Sequence, residues 1–160
     1  MTSALHVCFV CSGNICRSPM AEKVYATALV REGLADRVLV TSAGTGPWHA
    51  GEPADERAAE VLRRNGYPDA HKARQVNPEH LDADLLLAAG ADHVAALTRV
   101  LGRREAAEKV RLLRSFDPAA EPGAEVPDPY YGGDDGFDAV LAMIEATIPG
   151  LLSWTRERLA

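Results

Sequence analysis

Cys11-Ser12-Gly13-Asn14-Ile15-Cys16-Arg17-Ser18-Pro19 follows the apolar run Val7-Cys8-Phe9-Val10 and leads into a long periodic segment from Met20. A cysteine therefore stands where a buried strand ends, a short loop passes over a glycine, and an arginine stands where a helix begins. Backbone N–H groups in the first turn of a helix lack intrahelical acceptors and carry the positive end of its dipole. A loop curling into that end aims several of them at one point, which favours a phosphate-like anion. Gly13 is expected to supply backbone angles that other residues avoid. Arg17 offers a planar fork of donors to two oxygens, which lysine does not. The same field favours the thiolate of Cys11, a nucleophile that then needs no separate base. Ser18 can donate its hydroxyl to the sulfur, Asn14 is placed to brace the loop from inside, and Ser12, Ile15 and Cys16 complete the loop.

Outward from this loop, the chain alternates between two periodicities. Leu5 to Val10 reads as a central strand, apolar on both faces as parallel strands are. Pro19 suits the first turn of a helix, and Met20, Val24, Ala28 and Leu29 recur on one face through Arg31, with Gly33 as the stop. Val38 to Ser42 is a second strand and Asp55 to Asn65 a second helix. Pro78 to Leu81 is a short helical turn, Asp84 to Ala88 a third strand, Asp92 to Leu101 a helix and Val110 to Leu113 a fourth strand. A long loop from Ser115 to Gly136 precedes a last amphipathic helix from Phe137, with a break or bend expected at Pro149-Gly150. Four strand–helix alternations predict an α/β fold: a single four-stranded parallel sheet with helices on both faces, and the phosphate loop between strand 1 and helix 1. Such sheets bind ligands beyond the carboxyl ends of their strands, so Cys11, Trp48, Gly90 and the long loop are expected on one rim.

The 160 residues suit one domain, 1–160, and 47% apolar with 25% charged residues is ordinary for a globular chain. No repeat or low-complexity tract interrupts it. The net charge of −6 argues against general nucleic-acid binding and leaves any anionic substrate to the local field of the loop. No apolar run is expected to approach a membrane span, and no basic-then-apolar leader opens the chain. All three cysteines fall within residues 8–16, which is no disulfide framework and points to a reducing, cytoplasmic location, with leaderless export still compatible. Cys8-x-x-Cys11 resembles half of a zinc or redox site, but no second cysteine pair or paired histidines follow, and Cys8 lies inside the strand pattern as a small buried residue. The basic stretch from Arg99 to Arg114 reads as a solvated surface rather than a docking face.

Three further positions invite chemistry. Trp48 and His49 sit in the loop after strand 2, either capping the core or walling a site. His71, in a polar connection, reads first as structural. Asp128 stands between Pro127 and Pro129, which stiffen the chain around it. It is either an ordinary Asp-Pro turn or a carboxyl held over the site.

Val10-Cys11-Ser12-Gly13-Asn14-Ile15-Cys16-Arg17-Ser18-Pro19-Met20-Ala21-Glu22 resembles the opening of the low-molecular-weight protein tyrosine phosphatases. Thr41-Ser42-Ala43-Gly44-Thr45, His71-Lys72-Ala73-Arg74-Gln75 and Asp128-Pro129-Tyr130-Tyr131-Gly132 extend the resemblance along essentially the whole chain. The resemblance implies hydrolysis of phosphotyrosine in protein substrates in two steps. Cys11 attacks phosphorus, Arg17 and the loop amides hold the oxygens, and Asp128 protonates the leaving phenolate, then serves as base on the water that releases phosphate. It implies no metal or other cofactor, because Arg17 and the amides neutralise the oxygens. Inorganic phosphate or similar oxyanions are expected as product-like ligands. Trp48, His49, Tyr130 and Tyr131 become the substrate pocket, the tyrosines being candidates for phosphorylation themselves, and Ser42 and His71 become supports of the loop. Cys16 is expected to form a reversible disulfide with Cys11.

One departure is visible. The family's third strand usually ends in an aspartate, where this chain has Ala89-Gly90-Ala91. An arsenate reductase of this fold needs further cysteines after Cys16, and none exists. A protein arginine phosphatase typically carries threonine where Ile15 stands, so Ile15 favours phosphotyrosine. A phosphoprotein-binding module that has lost turnover is the remaining alternative, with Gly90 as its only support. A monomer is expected, since each apolar pattern can be buried within one chain.

Overall fold

In the computed structural model, which describes residues 3–133 and 135–160, the apolar run at the start of the chain is the inner strand β1, Leu5–Cys11. It pairs in parallel with β2, Val38–Gly44, on one side and with β3, Leu85–Ala88, on the other; β4, Val110–Leu112, closes the sheet beyond β3. The order β2-β1-β3-β4 is all parallel. The chain leaves β1 towards one edge and returns to β3 on the other side. The ends of β1 and β3 therefore flank the point where the winding reverses, the place at which such sheets bind ligands.

Helices cover both faces. On one face α1, Arg17–Arg31, α2, Glu56–Arg64, and the C-terminal helix bury a core with Val7, Phe9, Leu85 and Leu87. On the other, Cys8, Val10 and Leu86 meet Leu81 of the short helix α3, Pro78–Leu81, and Leu97 of α4, Ala91–Leu101. Cys8 and Cys11 thus face opposite cores, which fits β alternation and rules them out as a metal or redox pair. The basic stretch contains one helix that its sequence does not announce, α5, Arg103–Lys109, with only Ala106 buried. Leu113, expected in the fourth strand, opens a 3-10 turn through Phe116.

The last helix, α6, spans Asp135–Leu159 and runs through Pro149 without interruption, so of the break or bend expected there the break does not occur. Residues on both sides of the proline, Ile144, Thr147, Leu151 and Leu152, are buried against the body, and this packing outweighs the lost backbone hydrogen bond. Gly150 serves packing instead, since a Cβ there would run into the Phe116 carbonyl. The buried Tyr25 hydroxyl donates to Thr155 Oγ1 at 2.6 Å while Thr155 donates to the Leu151 carbonyl, locking α1 to α6. By length and composition alone α6 is long and apolar enough to cross a membrane, which corrects the expectation that no stretch comes near that measure. Its side chains Phe137, Val140, Leu141 and Ile144 belong to the core described above.

Candidate active site

Cys11 is the last residue of β1 and only 2% exposed, and α1 begins six residues later at Arg17. Among the described residues, the backbone N–H groups of residues 13–18 donate to no protein acceptor, which leaves all six available to a bound anion. The turn is made by Asn14, whose φ of 59° is the sole positive value at a non-glycine among the described residues. Asparagine tolerates this left-handed conformation better than other side chains. The expectation that Gly13 supplies the unusual angle is therefore corrected. Gly13 is required for space, because a Cβ there would come within 2.7 Å of the His49 ring.

Asn14 is fully buried and holds the loop with both polar atoms of its side chain and with its carbonyl. Its Nδ2 donates to Ser18 Oγ at 2.8 Å and to Ser42 Oγ at 3.0 Å. Its Oδ1 accepts from the Arg74 N–H at 2.9 Å, and its carbonyl accepts from His71 Nε2 at 2.7 Å. Burial holds His71 below its ordinary pKa, and the neutral ring keeps its proton on the nitrogen that faces the carbonyl. Ser42 in turn donates to Glu22 Oε1 at 2.5 Å. Because Ser18 Oγ already accepts from Asn14, its own hydrogen is available for Cys11 Sγ, 2.9 Å away. A chain of donors thus orients a hydroxyl at the sulfur. Glu22 belongs to the quoted opening motif, yet nothing local to it signals a partner twenty residues on.

Arg17 is buried at the mouth of the loop. Its Nη1 donates to the Val126 carbonyl at 3.2 Å, and its Nη2 lies 3.5 Å from Ser12 Oγ and 3.6 Å from Asp128 Oδ2. Asp128, with its side chain 40% exposed, accepts the Tyr130 N–H on its other oxygen at 3.0 Å. One carboxylate oxygen is thereby tied into the turn while the other faces the loop. Cys11, Ser12, Gly13, Ile15, Cys16, Arg17, Trp48, His49, Asp128, Tyr130 and Tyr131 line one cleft of about 430 Å³. Asn14, Ser18, Ser42 and His71 lie behind it as the bracing layer.

The walls of the cleft are aromatic. Tyr130 and Tyr131 meet edge to face at 5.0 Å, and His49 packs 6.2 Å from Tyr130. Trp48 and Tyr131 are 68% and 88% exposed, so the rim presents apolar rings to solvent. Arg57 supports this wall, though its sequence context does not single it out. Its guanidinium lies 5.5 Å from the Tyr130 ring centre and 4.6 Å from that of Phe137, and donates to the Tyr130 carbonyl at 3.1 Å. Asp55, the N-cap of α2, accepts from the Arg57 amide at 2.9 Å and pairs with its guanidinium at 3.1 Å. Burial pushes the Asp55 carboxyl up, but the contacts with Arg57 outweigh it and leave it below the usual carboxylate range. Its contribution is therefore complete above the ordinary carboxylate pKa of about 4 and is lost as acid protonates the folded protein. Asp55→Ala is expected to cost about 1–2 kcal/mol in a denaturant titration at neutral pH, shrinking towards zero in acid. An unchanged loss across that pH range would show the cap, rather than the ion pair, to be the whole effect.

At the position where the resemblance led to an aspartate, Gly90 caps α4, and two carboxylates crowd the spot that a side chain would take. Asp92 Oδ1 and Glu125 Oε2 come within 2.9 and 3.0 Å of a built Cβ, and Glu125 accepts the Ala91 N–H at 2.5 Å. Negative charge is thus brought to this place from neighbouring positions. Cys16 is buried, and burial followed by the nearby Asp55 and Cys11 raises its pKa above that of a free thiol, so it rests protonated. His93, which the sequence reading passed over, is buried with its ring against Ser12.

The sequence model for low molecular weight phosphotyrosine protein phosphatases matches residues 6–160. A low molecular weight protein-tyrosine phosphatase A of Mycobacterium tuberculosis is 58% identical over 161 residues, covering 100% of this chain and 97% of its own length. A protein tyrosine phosphatase crystal structure from Entamoeba histolytica, with Hepes in the active site, superposes with a TM-score of 0.89 at 30% identity, covering 98% and 99% of the two chains. A Drosophila arginine phosphatase superposes at 0.84 with 29% identity over 93% and 96%.

Proposed function

The chain belongs to the low-molecular-weight phosphotyrosine protein phosphatases and is a protein-tyrosine phosphatase, and from that premise we propose the roles of its own residues. Cys11 Sγ attacks phosphorus in line as the bond to the aryl oxygen breaks, and Asp128 Oδ2 passes its proton to the departing phenolate. Water then attacks the cysteinyl-phosphate, Asp128 takes a proton from it, and the sulfur leaves as thiolate with Ser18 donating to it. The amides of residues 13–18 and Arg17 hold the three equatorial oxygens throughout, so the protein supplies position and charge at the place where charge develops.

The observation that carries this reading is the meeting at one cleft of a sulfur with a hydroxyl aimed at it, one guanidinium and one carboxyl, on a loop whose N–H groups have no protein acceptor. The aromatic walls formed by Trp48, His49, Tyr130 and Tyr131 suit a flat phenyl ring. Ile15 adds an apolar side chain to the lining and offers nothing for a guanidinium to bond, which favours phosphotyrosine over phosphoarginine despite the likeness to an arginine phosphatase. Hydrolysis of phosphotyrosine and phosphoarginine peptides, with chelator present, tests the assignment. Faster turnover of the phosphotyrosine peptide is expected, and preference for phosphoarginine would reverse the Ile15 argument.

The substrates are phosphorylated proteins. A reducing cytoplasm, without general nucleic-acid binding, is the setting that the acidic charge and the three free cysteines support. In that setting Cys16 protects the nucleophile. When a peroxide oxidises Cys11 to a sulfenic acid, the Cys16 thiol displaces water from it to form the disulfide, and a cellular thiol reduces the pair again. Cys16→Ser is expected to recover activity after peroxide and dithiothreitol several-fold less completely than the parent; equal recovery would remove Cys16 from this role.

A further inference from the structure

Ser12 and His93 meet across the point where the sheet's winding reverses. Ser12 is the first loop residue after β1, and His93 lies in the first turn of α4, just beyond β3. The His93 ring is buried, and its two nitrogens have different partners. Nδ1 is 3.0 Å from the Gly90 backbone nitrogen, which can only donate, so Nδ1 must accept. The proton of the neutral ring is then on Nε2, and Nε2 donates to Ser12 Oγ at 2.8 Å. Burial and then the nearby Arg17 oppose a second proton on this ring, outweighing the attraction of Asp92, Glu125 and Asp128, so the neutral tautomer is the working one.

The consequence falls on the serine. Its oxygen has two lone pairs and one hydrogen. His93 Nε2 occupies one lone pair, and Arg17 Nη2, at 3.5 Å, faces the other. The remaining hydrogen is left to point into the cleft that Ser12 lines together with Cys11 and Arg17. We infer that His93 is a positioning residue that fixes Ser12 as a hydroxyl donor to a non-bridging oxygen of the bound phosphoryl group, adding a seventh hydrogen-bond donor to the six loop amides. The inference rests on the phosphate-binding reading of the loop and adds to it a residue 81 positions distant from Ser12.

His93 also brackets the start of α4 through Gly90, and the test separates the two jobs. An asparagine at 93 places its amide oxygen where Nδ1 accepts from Gly90 but has no donor that reaches Ser12. A glutamine places an NH₂ where Nε2 donates to Ser12 but forfeits the Gly90 contact. The inhibition constant for inorganic phosphate, kcat and KM for an aryl phosphate, and the unfolding midpoint are measured for the parent, Ser12→Ala, His93→Asn, His93→Gln and the Ser12→Ala/His93→Asn pair. Ser12→Ala and His93→Asn are each expected to weaken phosphate binding about ten- to a hundredfold, the range of one hydrogen bond to a charged group. His93→Asn should unfold near the parent midpoint. His93→Gln should keep phosphate affinity within about twofold while unfolding more easily. The double variant should be no weaker than either single one, since both remove the same contact.

Parent-like phosphate affinity in Ser12→Ala, additive losses in the pair, or a His93→Gln protein weaker than His93→Asn would each overturn the inference and leave His93 as a helix bracket. Ser12→Ala keeps the test decisive should a position-93 variant fail to fold. A parent protein that neither binds phosphate nor hydrolyses the aryl phosphate would overturn the loop reading itself, and this inference with it.

Discussion

Cys11→Ser is expected to reduce hydrolysis of a phosphotyrosine peptide by at least ~10⁴-fold while leaving inorganic phosphate bound with little change. The two halves of that result have separate causes. Turnover depends on the sulfur as nucleophile and leaving group, and a serine hydroxyl at this place would face the Ser18 hydroxyl, whose own hydrogen is directed at it. Nothing in the loop would remove the serine's proton, and an alkoxide would be a far poorer leaving group than a thiolate in the second step. Binding depends on the N–H groups of residues 13–18 and on Arg17, none of which the substitution touches. Steady-state kinetics with a phosphopeptide and calorimetric titration with phosphate measure the two halves. Turnover that survives in Cys11→Ser would place the nucleophile elsewhere; loss of both turnover and phosphate binding would mean that the sulfur helps to shape the loop.

Asp128→Asn is expected to slow phosphotyrosine hydrolysis by about 10²–10³, within the range of general acid catalysis, and to do so in proportion to the basicity of the leaving group. Asparagine keeps the turn, because its side-chain oxygen can still accept the Tyr130 N–H that Asp128 accepts at 3.0 Å. What it removes is the proton, together with the carboxylate that faces Arg17 at 3.6 Å. An aryl phosphate whose phenol is already acidic needs little help in leaving, so its first step should be slowed much less. A series of aryl phosphates of graded phenol acidity provides the measurement. A uniform loss across the series would assign Asp128 to holding Arg17 or the loop rather than to proton transfer.

The legibility of this site in the sequence follows from how far apart its parts lie. Residues 11–18 supply the sulfur, the amides, the guanidinium and the hydroxyl within one turn of chain, and their spacing could be read directly. Asp128, Tyr130 and Tyr131 were reached through their proline setting and a family likeness. Their approach to Arg17 depends on a loop whose path no periodicity describes. Ser42 and His71 were expected as supports, but the atoms they hold, Asn14 Nδ2 and the Asn14 carbonyl, became visible only in three dimensions. Arg57 looked like one charge among several on α2, and its place under Tyr130 depends on how α2 docks beside α6. Gly13 misled because glycine's freedom of backbone angle and its lack of a side chain leave the same mark in a sequence. Here it was the close approach of His49 that required it, while Asn14 took the left-handed turn. Pro149-Gly150 misled for a related reason: local propensity argued for a break, and burial on both sides of it carried the helix through.

By itself the sequence determined the α/β class, the order along the chain of the four strands and of every helix but α5, and the chemistry of the loop, because each depends on residues close together and on periods of two and 3.6. The tertiary structure alone decided which distant side chains surround that loop. The order β2-β1-β3-β4 sets the ends of β1 and β3 side by side and brings Glu22, Ser42, His71 and Arg74 around Asn14, and His93 onto Ser12. Those meetings are fixed by the packing of whole elements against two shared cores, and no short stretch of chain carries their distances.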